Sequence, residues 1–303
     1  RDLVRSRGLG DVYKRQTISA LWEVEKMIKL LNAGFTRLRK NRLFWLFIIF
    51  SIGLALFMIY TRYSDMKNYG DTIEVEQLIL NYGTIIGIVI AIFTSLFLGT
   101  EYSDGVIRNK ISVGHKRIHI YLSNLIITTI TSLFSYILLI VVVAVIGIPL
   151  FGWITMPISK LLMLLGCIFV TVAAYSGIFT FLAMVISNKT ITAIVSIMLG
   201  FGFMMMALTC LSIIQAPQFI ESASITNEDT GDFEIVQEPN PKYPSETKKK
   251  ICQTLLDINP AGQMFQLAGR TAPNLKILPI YSFGILIIFT AAGIVLFHKK
   301  DIK

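Results

Sequence analysis

Residues 120–148 read IYLSNLIITTITSLFSYILLIVVVAVIGI, a run in which no side chain is charged. An α-helix of about 20 apolar residues is long enough to cross the hydrocarbon core of a bilayer. Residues 137–148 are apolar on every face and lack the polar and apolar alternation of a barrel strand. The run therefore predicts a membrane-spanning helix.

The rest of the chain contains further apolar runs of comparable length, at residues 43–60, 78–99, 161–186, 191–214 and 277–297. Composition supports the same interpretation, because 54% of the residues are hydrophobic and only 16% are charged. Soluble domains contain roughly a quarter charged residues. The sequence predicts an all-α polytopic membrane protein, in which residues 43–303 form a six-helix transmembrane bundle with a large external loop, residues 215–276, before the last span.

Lysine and arginine near the predicted spans concentrate on one side of the bundle. The opposite short loops hold only Arg62, Lys67 and Lys160. Because cytoplasmic loops carry the excess of positive charge, this asymmetry predicts that both termini face the cytoplasm. We expect a multi-pass protein of the plasma (cytoplasmic) membrane, of bacterial origin.

Residues 27–42 precede the first span and carry apolar side chains at helical spacing on one face. Lys29, Arg37 and Lys40 lie on other faces. This pattern predicts a cytoplasmic amphipathic interfacial helix, whose cations contact membrane lipid headgroups while its apolar stripe enters the acyl boundary. The same pattern fits two roles, a lever at the membrane surface and an anchor that only fixes the topology of the chain.

The first residues of the chain have a different character. Residues 1–16, RDLVRSRGLGDVYKRQ, resemble a translated sequencing-adapter artefact. We expect residues 1–26 to be a non-native or disordered extension, with Met27 as the natural start, and we leave them out of the fold prediction.

The chain offers no recognisable catalytic machinery or metal site of its own. The motifs GxxxxGK[ST], GxSxG and HExxH do not occur in the sequence. His115 and His119 have helical spacing, but the segment lacks a third ligand and is crowded with cations. Cys167, Cys210 and Cys252 are scattered and form neither a CxxC pair nor a disulfide framework. We expect no enzyme activity, no catalytic or metal-binding residue and no nucleic-acid partner.

The predicted spans contain no Asp, Glu, Lys, Arg or His. Ion-coupled transporters and proton pumps usually place such groups inside the membrane. The sequence therefore disfavours ion coupling, and any work done on a cargo has to come from another molecule.

The loop between the second and third predicted spans carries a dense polar motif. It begins EYSDGVIRNK at Glu101 and continues through Gly114 to Arg117. Glycines at both ends allow sharp turns, so the residues between Gly105 and Gly114 are predicted to form a short helix across the ends of the spans. A short basic helix in this place suits the docking of a partner. The candidate contact residues are Glu101, Tyr102, Gly105, Arg108, Lys110, Gly114, Lys116 and Arg117.

The pattern E-Y-x-x-G-x-I-R-N-K-x-x-x-G-x-x-R-x-x-I-Y-x-x-N in this loop resembles the permeases of type-2 ABC exporters. The resemblance covers residues 27–303 and includes the NPAGQ sequence at residues 259–263 of the external loop. It implies a second permease copy, in a homodimer or a heterodimer, and separate ABC ATP-binding subunits on the cytoplasmic face. ATP and Mg²⁺ would be bound by those subunits, and this chain would hold no cofactor.

The resemblance also implies roles for two segments. The loop of residues 101–117 would couple the ATPase to the spans, with Glu101 and Arg108 as polar contacts to the partner. Residues 255–272 would form partly re-entrant helices, because prolines and glycines interrupt a stretch too short to span.

A possible translocation path involves the fifth span. Gly200, Gly202, Phe203 and Met205 combine close backbone approach with adaptable apolar side chains, although the same residues can simply pack helices. Walls without charge suit an apolar or amphipathic cargo, such as a drug, a peptide antibiotic or a lipid. The alternative is a non-transport polytopic membrane protein, either a structural or sensory partner or a membrane enzyme.

Overall fold

The computed structural model describes residues 23–227 and 232–301. Six of its helical segments are long and apolar enough to cross a membrane. These segments form a helical bundle, which confirms the prediction of an all-α polytopic membrane protein.

The helices, in chain order, begin with α1 at residues 23–40. They continue as α2 Arg42–Tyr69, α3 Val75–Asn81, α4 Gly83–Ser103, α5 Val106–Ser112, α6 Arg117–Val142, α7 Ile148–Phe151, α8 Ile158–Val185, α9 Lys189–Ile214, α10 Glu246–Ile258, α11 Pro260–Ala268 and α12 Leu278–Lys299. A π-helical turn, Val143–Gly147, joins α6 to α7. An antiparallel hairpin of β1 Phe219–Asn227 and β2 Asp232–Pro239 lies between α9 and α10.

The membrane-length segments extend beyond the predicted apolar runs. The second one covers Val75–Ser103 and therefore includes Glu76 and Glu101. Both carboxylates are buried, with 0% and 1% of the residue exposed. The predicted run of residues 78–99 contains no ionisable residue, but the helical segment is longer than that run and carries these two acids near its ends. Partners in neighbouring elements stabilise both carboxylates.

The helices differ in how much of their surface they bury. In α4 and α8 most residues of the apolar window are buried, whereas α9 and α12 leave most of theirs exposed. Close approach between α4 and α8 depends on Gly87, since a Cβ at this position would lie 2.5 Å from the ring of Tyr175. The bundle therefore has a central α4–α8 pair, with α9 and α12 at its periphery.

The helix α1 differs in two respects from the predicted interfacial helix. It already includes residues 23–26, which the sequence assigned to the extension, and Glu23 in this part pairs with Lys116 at 2.8 Å. Part of its apolar stripe is buried in the bundle, since Leu30 and Leu38 pack in the same cluster as Ile127 of α6. Its contact with lipid remains a prediction, and the adapter-like run of residues 1–16 lies outside the described residues.

The segment predicted to be an external loop is largely structured. Two consecutive helices, α10 and α11, cover most of the stretch predicted to be re-entrant, up to Ala268. Whether this stretch enters the membrane stays a prediction. The two helices meet at Asn259, whose Oδ1 accepts a hydrogen bond of 3.0 Å from the Ala261 amide and caps α11. Pro260 follows at the first position of α11, where a missing N–H costs nothing. The hairpin before α10 was not predicted.

Candidate functional site

The candidate site lies at the end of the bundle where α4 ends and α6 begins, called here the basic end because it carries Arg37, Arg108, Lys110 and Arg117. The predicted short helix is present here as α5, Val106–Ser112. Its flanking glycines, Gly105 and Gly114, have φ values of 66° and 88°, a left-handed conformation that strains other residues. The two glycines thus allow the chain to change direction between α4 and α5 and again between α5 and α6.

A buried carboxylate holds α5 against the bundle. Lys110 Nζ of α5 lies 3.1 Å from each carboxylate oxygen of Glu101, at the end of α4. Arg37 Nη1 of α1 forms an ion pair of 2.5 Å with the same carboxylate. Asn124 Nδ2 of α6 donates a hydrogen bond of 2.9 Å to it. These four residues, the Glu101 cluster, connect α1, α4, α5 and α6.

The Glu101 carboxylate is surrounded by cations and by a hydrogen-bond donor. Glu101 is 1% exposed, while the side chains of Arg37 and Lys110 are 22% and 13% exposed. A carboxylate withdrawn from water to this degree is costly unless cations and hydrogen bonds surround it, and here two cations and one amide do so. Removal of any one partner would leave a poorly solvated charge.

Arg37 has further contacts that hold it in place. Its Nη2 donates a hydrogen bond of 3.0 Å to the Thr100 hydroxyl. Its guanidinium carbon lies 5.4 Å from the ring centroid of Phe97, a cation–π distance. The pairing of Arg37 with the loop was not predictable, because the spacing of residues within α1 carries no information about the α4 surface that Arg37 contacts.

Tyr102 connects the loop to the C-terminal segment. Its hydroxyl donates to the Met184 carbonyl at the end of α8. Lys300 Nζ lies 3.1 Å from the Tyr102 hydroxyl and 3.1 Å from the Met184 carbonyl. The lysine also sits 4.2 Å from the centroid of the Tyr102 ring. Because it is partly removed from water, the pKa of Lys300 is lowered to about 8.

Arg117 binds the end of the last span. Its Nη1 donates to the carbonyls of Phe297 at 3.0 Å and His298 at 2.9 Å, and also to that of Lys300. A cation at a helix C-terminus satisfies carbonyls that have no partner within the helix. Arg117 therefore joins the start of α6 to the end of α12, and its side chain is engaged within the chain.

The residues of α5 point in two directions. Ile107 is 1% exposed and packs in the core at the basic end. Arg108, which follows it, is exposed. Lys116, after the second glycine, is also exposed, and its ion pair lowers the pKa of Glu23. Arg108 and Lys116 are thus accessible to a partner.

The expected direct contact of Glu101 with a partner does not fit its position. Its carboxylate is buried, and Arg37, Lys110 and Asn124 surround it. Lys110 is directed inward for the same reason. These two residues position α5, whereas Arg108 remains the candidate for a direct contact.

The four residues proposed for the path separate into two groups. Gly200 lies on the buried face of α9, where a Cβ would be 3.6 Å from Ile88 of α4, an ordinary packing distance. Phe203 is half-buried, and its carbonyl accepts a hydrogen bond of 2.7 Å from Asn259. Gly202 and Met205 face outward, with nothing near a Cβ at position 202 and Met205 58% exposed. Helix packing thus explains the glycine at position 200, whereas Gly202 and Met205 are free to contact another molecule.

Two buried acids at the opposite end of the bundle were missed by the sequence analysis. Glu76 accepts hydrogen bonds from the Thr155 hydroxyl at 2.7 Å and the Met156 amide at 2.9 Å, which joins α3 to the segment before α8. The Asp257 carboxylate accepts hydrogen bonds from three side-chain amides, those of Gln253 at 2.7 Å, Gln266 at 3.1 Å and Asn274 at 2.8 Å. In the sequence, Asp257 is a single carboxylate in the run LLDI, whereas Glu76 follows Glu74 in the mixed stretch IEVEQ and has no distinguishing signal.

No metal centre is evident in residues 23–227 and 232–301, where no group of three or more His, Cys, Asp or Glu side chains could hold an ion. His119 lies 3.5 Å from Glu23. The pKa of His115 is lowered by burial and by the nearby lysines. Both histidines thus lie in a polar surface around the basic end.

Comparison with known proteins identifies the family of the chain. A family model described as ABC-2 family transporter protein matches residues 30–214, which is more than half of the chain. The match extends from α1 to the end of α9 and includes the whole Glu101 cluster. A comparison with curated proteins gave no match.

Proposed function

The chain belongs to the ABC-2 family of transporters and is a membrane permease subunit, and from this we propose that ATP hydrolysis in a separate subunit drives it to export an apolar or amphipathic cargo. The permease would form a dimer with a second copy of itself or with a related chain. ATP and Mg²⁺ would be bound by the partner ATPase. Both termini and the basic end would face the cytoplasm, as the distribution of lysine and arginine predicts.

The observation that supports this proposal best is the connection of α5 to the rest of the bundle. A force on the exposed side of α5, at Arg108, would pass through Lys110 to Glu101 and from there to α1, α4 and α6. A rigid, buried ion pair transmits displacement better than a flexible surface contact. The basic end is thus suited to convert the movement of a docked subunit into a tilt of the spans.

The surfaces between the helices support an amphipathic cargo. A groove of about 250 Å³ between α2 and α4 is lined by apolar side chains, among them Leu46, Phe50 and Ile92. Nearer the opposite end, a cleft of about 640 Å³ includes the charged residues Arg62 and Asp65. A molecule with an apolar body and a polar head would find matching surroundings along such a route.

The second copy would complete the path. The outward face of α9 carries Gly202 and Met205, and this helix exposes most of its apolar surface. An exposed glycine permits close approach of another helix, and methionine adapts its shape to different neighbours. We therefore assign this face to the boundary with the second permease, where the cargo would pass.

Purification of the tagged chain in a mild detergent tests the proposal. We expect a P-loop ATPase to co-purify, and we expect membrane vesicles that contain both subunits to move an amphipathic fluorescent dye only when ATP is supplied. If the chain purifies without an ATPase and vesicles with the chain alone move the dye equally well, the proposal is wrong. A chain that binds no ATPase and moves no dye would instead support a non-transport role.

A further inference from the structure

The helices α9 and α10 bring together two cysteines that are far apart in the sequence. Cys210 lies near the end of α9 and Cys252 in the middle of α10. Both cysteines pack in the same buried hydrophobic cluster, and both are free in the structure. Only 5% of Cys210 and 6% of Cys252 is exposed. Sequence spacing predicted no disulfide framework, but spacing alone does not reveal that these two cysteines lie on neighbouring helices.

The register between the two helices explains why these thiols meet. Asn259 Nδ2, just after α10, donates a hydrogen bond of 2.7 Å to the Phe203 carbonyl of α9. Cys210 follows Phe203 by seven residues, and Cys252 precedes Asn259 by seven residues. Each cysteine is thus two helical turns, about 10.5 Å, from the anchor. When two helices pack antiparallel, residues that lie equally far from one contact, forward on one helix and backward on the other, are again neighbours.

Two other observations agree with this register. Beyond the cysteines, Gln218 Nε2 donates a hydrogen bond of 3.1 Å to the Tyr243 hydroxyl, so that the segments after α9 and before α10 are still adjacent. Ala207, three residues before Cys210 on the buried face of α9, is fully buried, and its small side chain permits close approach of a neighbouring helix. Close approach is needed because a disulfide requires Cβ atoms about 3.5–4.5 Å apart.

We propose that Cys210 and Cys252 are a redox modification site, at which a disulfide bond forms in the oxidising compartment outside the membrane. The oxidant would be a disulfide, either of a protein or of a small molecule. One cysteine thiolate attacks a sulfur of that disulfide, forms a mixed disulfide and releases the first oxidant thiol. The second cysteine thiolate then attacks its neighbour, closes the bond and releases the second oxidant thiol. The oxidant gains two electrons and the two protons that the cysteines lose.

The bond would fix α10 on α9 and thereby restrict the segment that follows. The helix α11 comes directly after α10 and is buried among the spans, with Met264 and Leu267 fully buried. With the thiols reduced, α10 is held to α9 by packing and by the Asn259 hydrogen bond. The inference goes beyond the proposed function, since it involves neither ATP nor a partner subunit, and it rests on the orientation proposed there, which places α10 outside the membrane.

Counting free thiols tests this inference directly. Membranes that contain the wild-type chain are incubated with oxidised glutathione, the remaining thiols are blocked, and the denatured chain is analysed by mass spectrometry. We expect one blocked thiol per chain, at Cys167, together with a peptide pair linked through Cys210 and Cys252. After reduction we expect three blocked thiols, which is the full cysteine content.

Matched variants make the result specific. Cys167→Ala should lower the count of free thiols from one to none before reduction, and Cys210→Ala should leave Cys252 without its internal partner and prevent the linked peptide. Three free thiols in the oxidised wild type would overturn the inference, as would a bond to Cys167 or a disulfide between two chains. None of these counts depends on an ATPase, so failure here is distinguishable from failure of the proposed function.

Discussion

Lys110 Nζ of α5 lies 3.1 Å from both carboxylate oxygens of Glu101, at the buried end of α4. The ion pair crosses the turn at Gly105 and fixes the angle at which α5 leaves the bundle. Because Arg37 and Asn124 bind the same carboxylate, a displacement of α5 is shared by four helices. This geometry makes the residues around Glu101 the first targets for mutation.

Glu101→Gln should impair both stability and transport. The substitution leaves the charges of Arg37 and Lys110 without their buried counter-charge, so we expect the free energy of unfolding to fall by about 3 kcal/mol. Thermal unfolding in detergent, read by intrinsic fluorescence, measures the change, and ATP-dependent dye export should fall at least tenfold. Asp104→Asn is the matched control, since Asp104 is exposed and lies 3.9 Å from Arg37. An equal effect of both substitutions would contradict the special role of Glu101.

Arg108→Glu should weaken association with the ATPase while the fold is retained. Arg108 is exposed on α5, and a reversal of its charge alters the surface without removing a contact within the chain. The measurement is the ratio of ATPase to permease after co-purification, together with the unfolding temperature of the permease. Arg39→Glu provides the control, because Arg39 is an exposed arginine that lies on α1 and not on α5. A normal ratio for Arg108→Glu would remove Arg108 from the docking surface.

Gly262→Ala should destabilise the junction of α10 and α11. A Cβ at this position would lie 2.5 Å from the Leu256 carbonyl oxygen and 2.7 Å from the Leu256 Cα, and backbone atoms cannot move aside cheaply. We expect a loss of about 1–3 kcal/mol in unfolding free energy. Gly284→Ala is the matched control, since no atom lies within 4 Å of a Cβ there. If the two variants unfold at the same temperature, the tight contact at Gly262 is absent.

Lys300 should make stability depend on pH in the alkaline range. Its pKa is lowered to about 8 from the ordinary value of 10.5, because the folded chain partly removes the amine from water. Between these two values the unfolded chain binds the proton more tightly, so the free energy of unfolding should rise with pH. Below about pH 8 both states are protonated, and this group adds no pH dependence.

Unfolding temperatures between pH 7 and pH 10 measure this effect. Lys300→Met removes the titrating group but keeps an unbranched side chain over the Tyr102 ring. The rise with pH should therefore be smaller in the variant than in the wild type. The same slope in both proteins would assign the pH dependence to other groups.

Local patterns in the sequence were sufficient to predict the membrane-length helices. Runs such as residues 120–148 specify spanning helices because backbone groups in lipid need partners within the segment. Gly105 and Gly114 indicated α5 for an equally local reason, since their positive φ values end regular structure on either side. These features were predictable because each depends on residues close together in the chain.

Contacts between distant segments were not predictable in the same way. Nothing in the sequence around Arg37 or Glu101 indicates that α1 rests on the end of α4. Glu76 and Asp257 look like charges that end an apolar run, although both are buried acids with partners in other elements. The proximity of Cys210 and Cys252 likewise follows from helix register and not from sequence spacing.

Site-specific photo-crosslinking measures the contact on which this account of coupling depends. A photoreactive amino acid replaces Arg108 on α5 in one variant and Lys67, near the opposite end of α2, in a control variant. After illumination of living cells, we predict that the tagged chain with the probe at position 108 is joined to a P-loop ATPase and that the chain with the probe at position 67 is not. An ATPase adduct at position 67, or none at position 108 while both variants are equally abundant in the membrane, would contradict the coupling of this permease through α5.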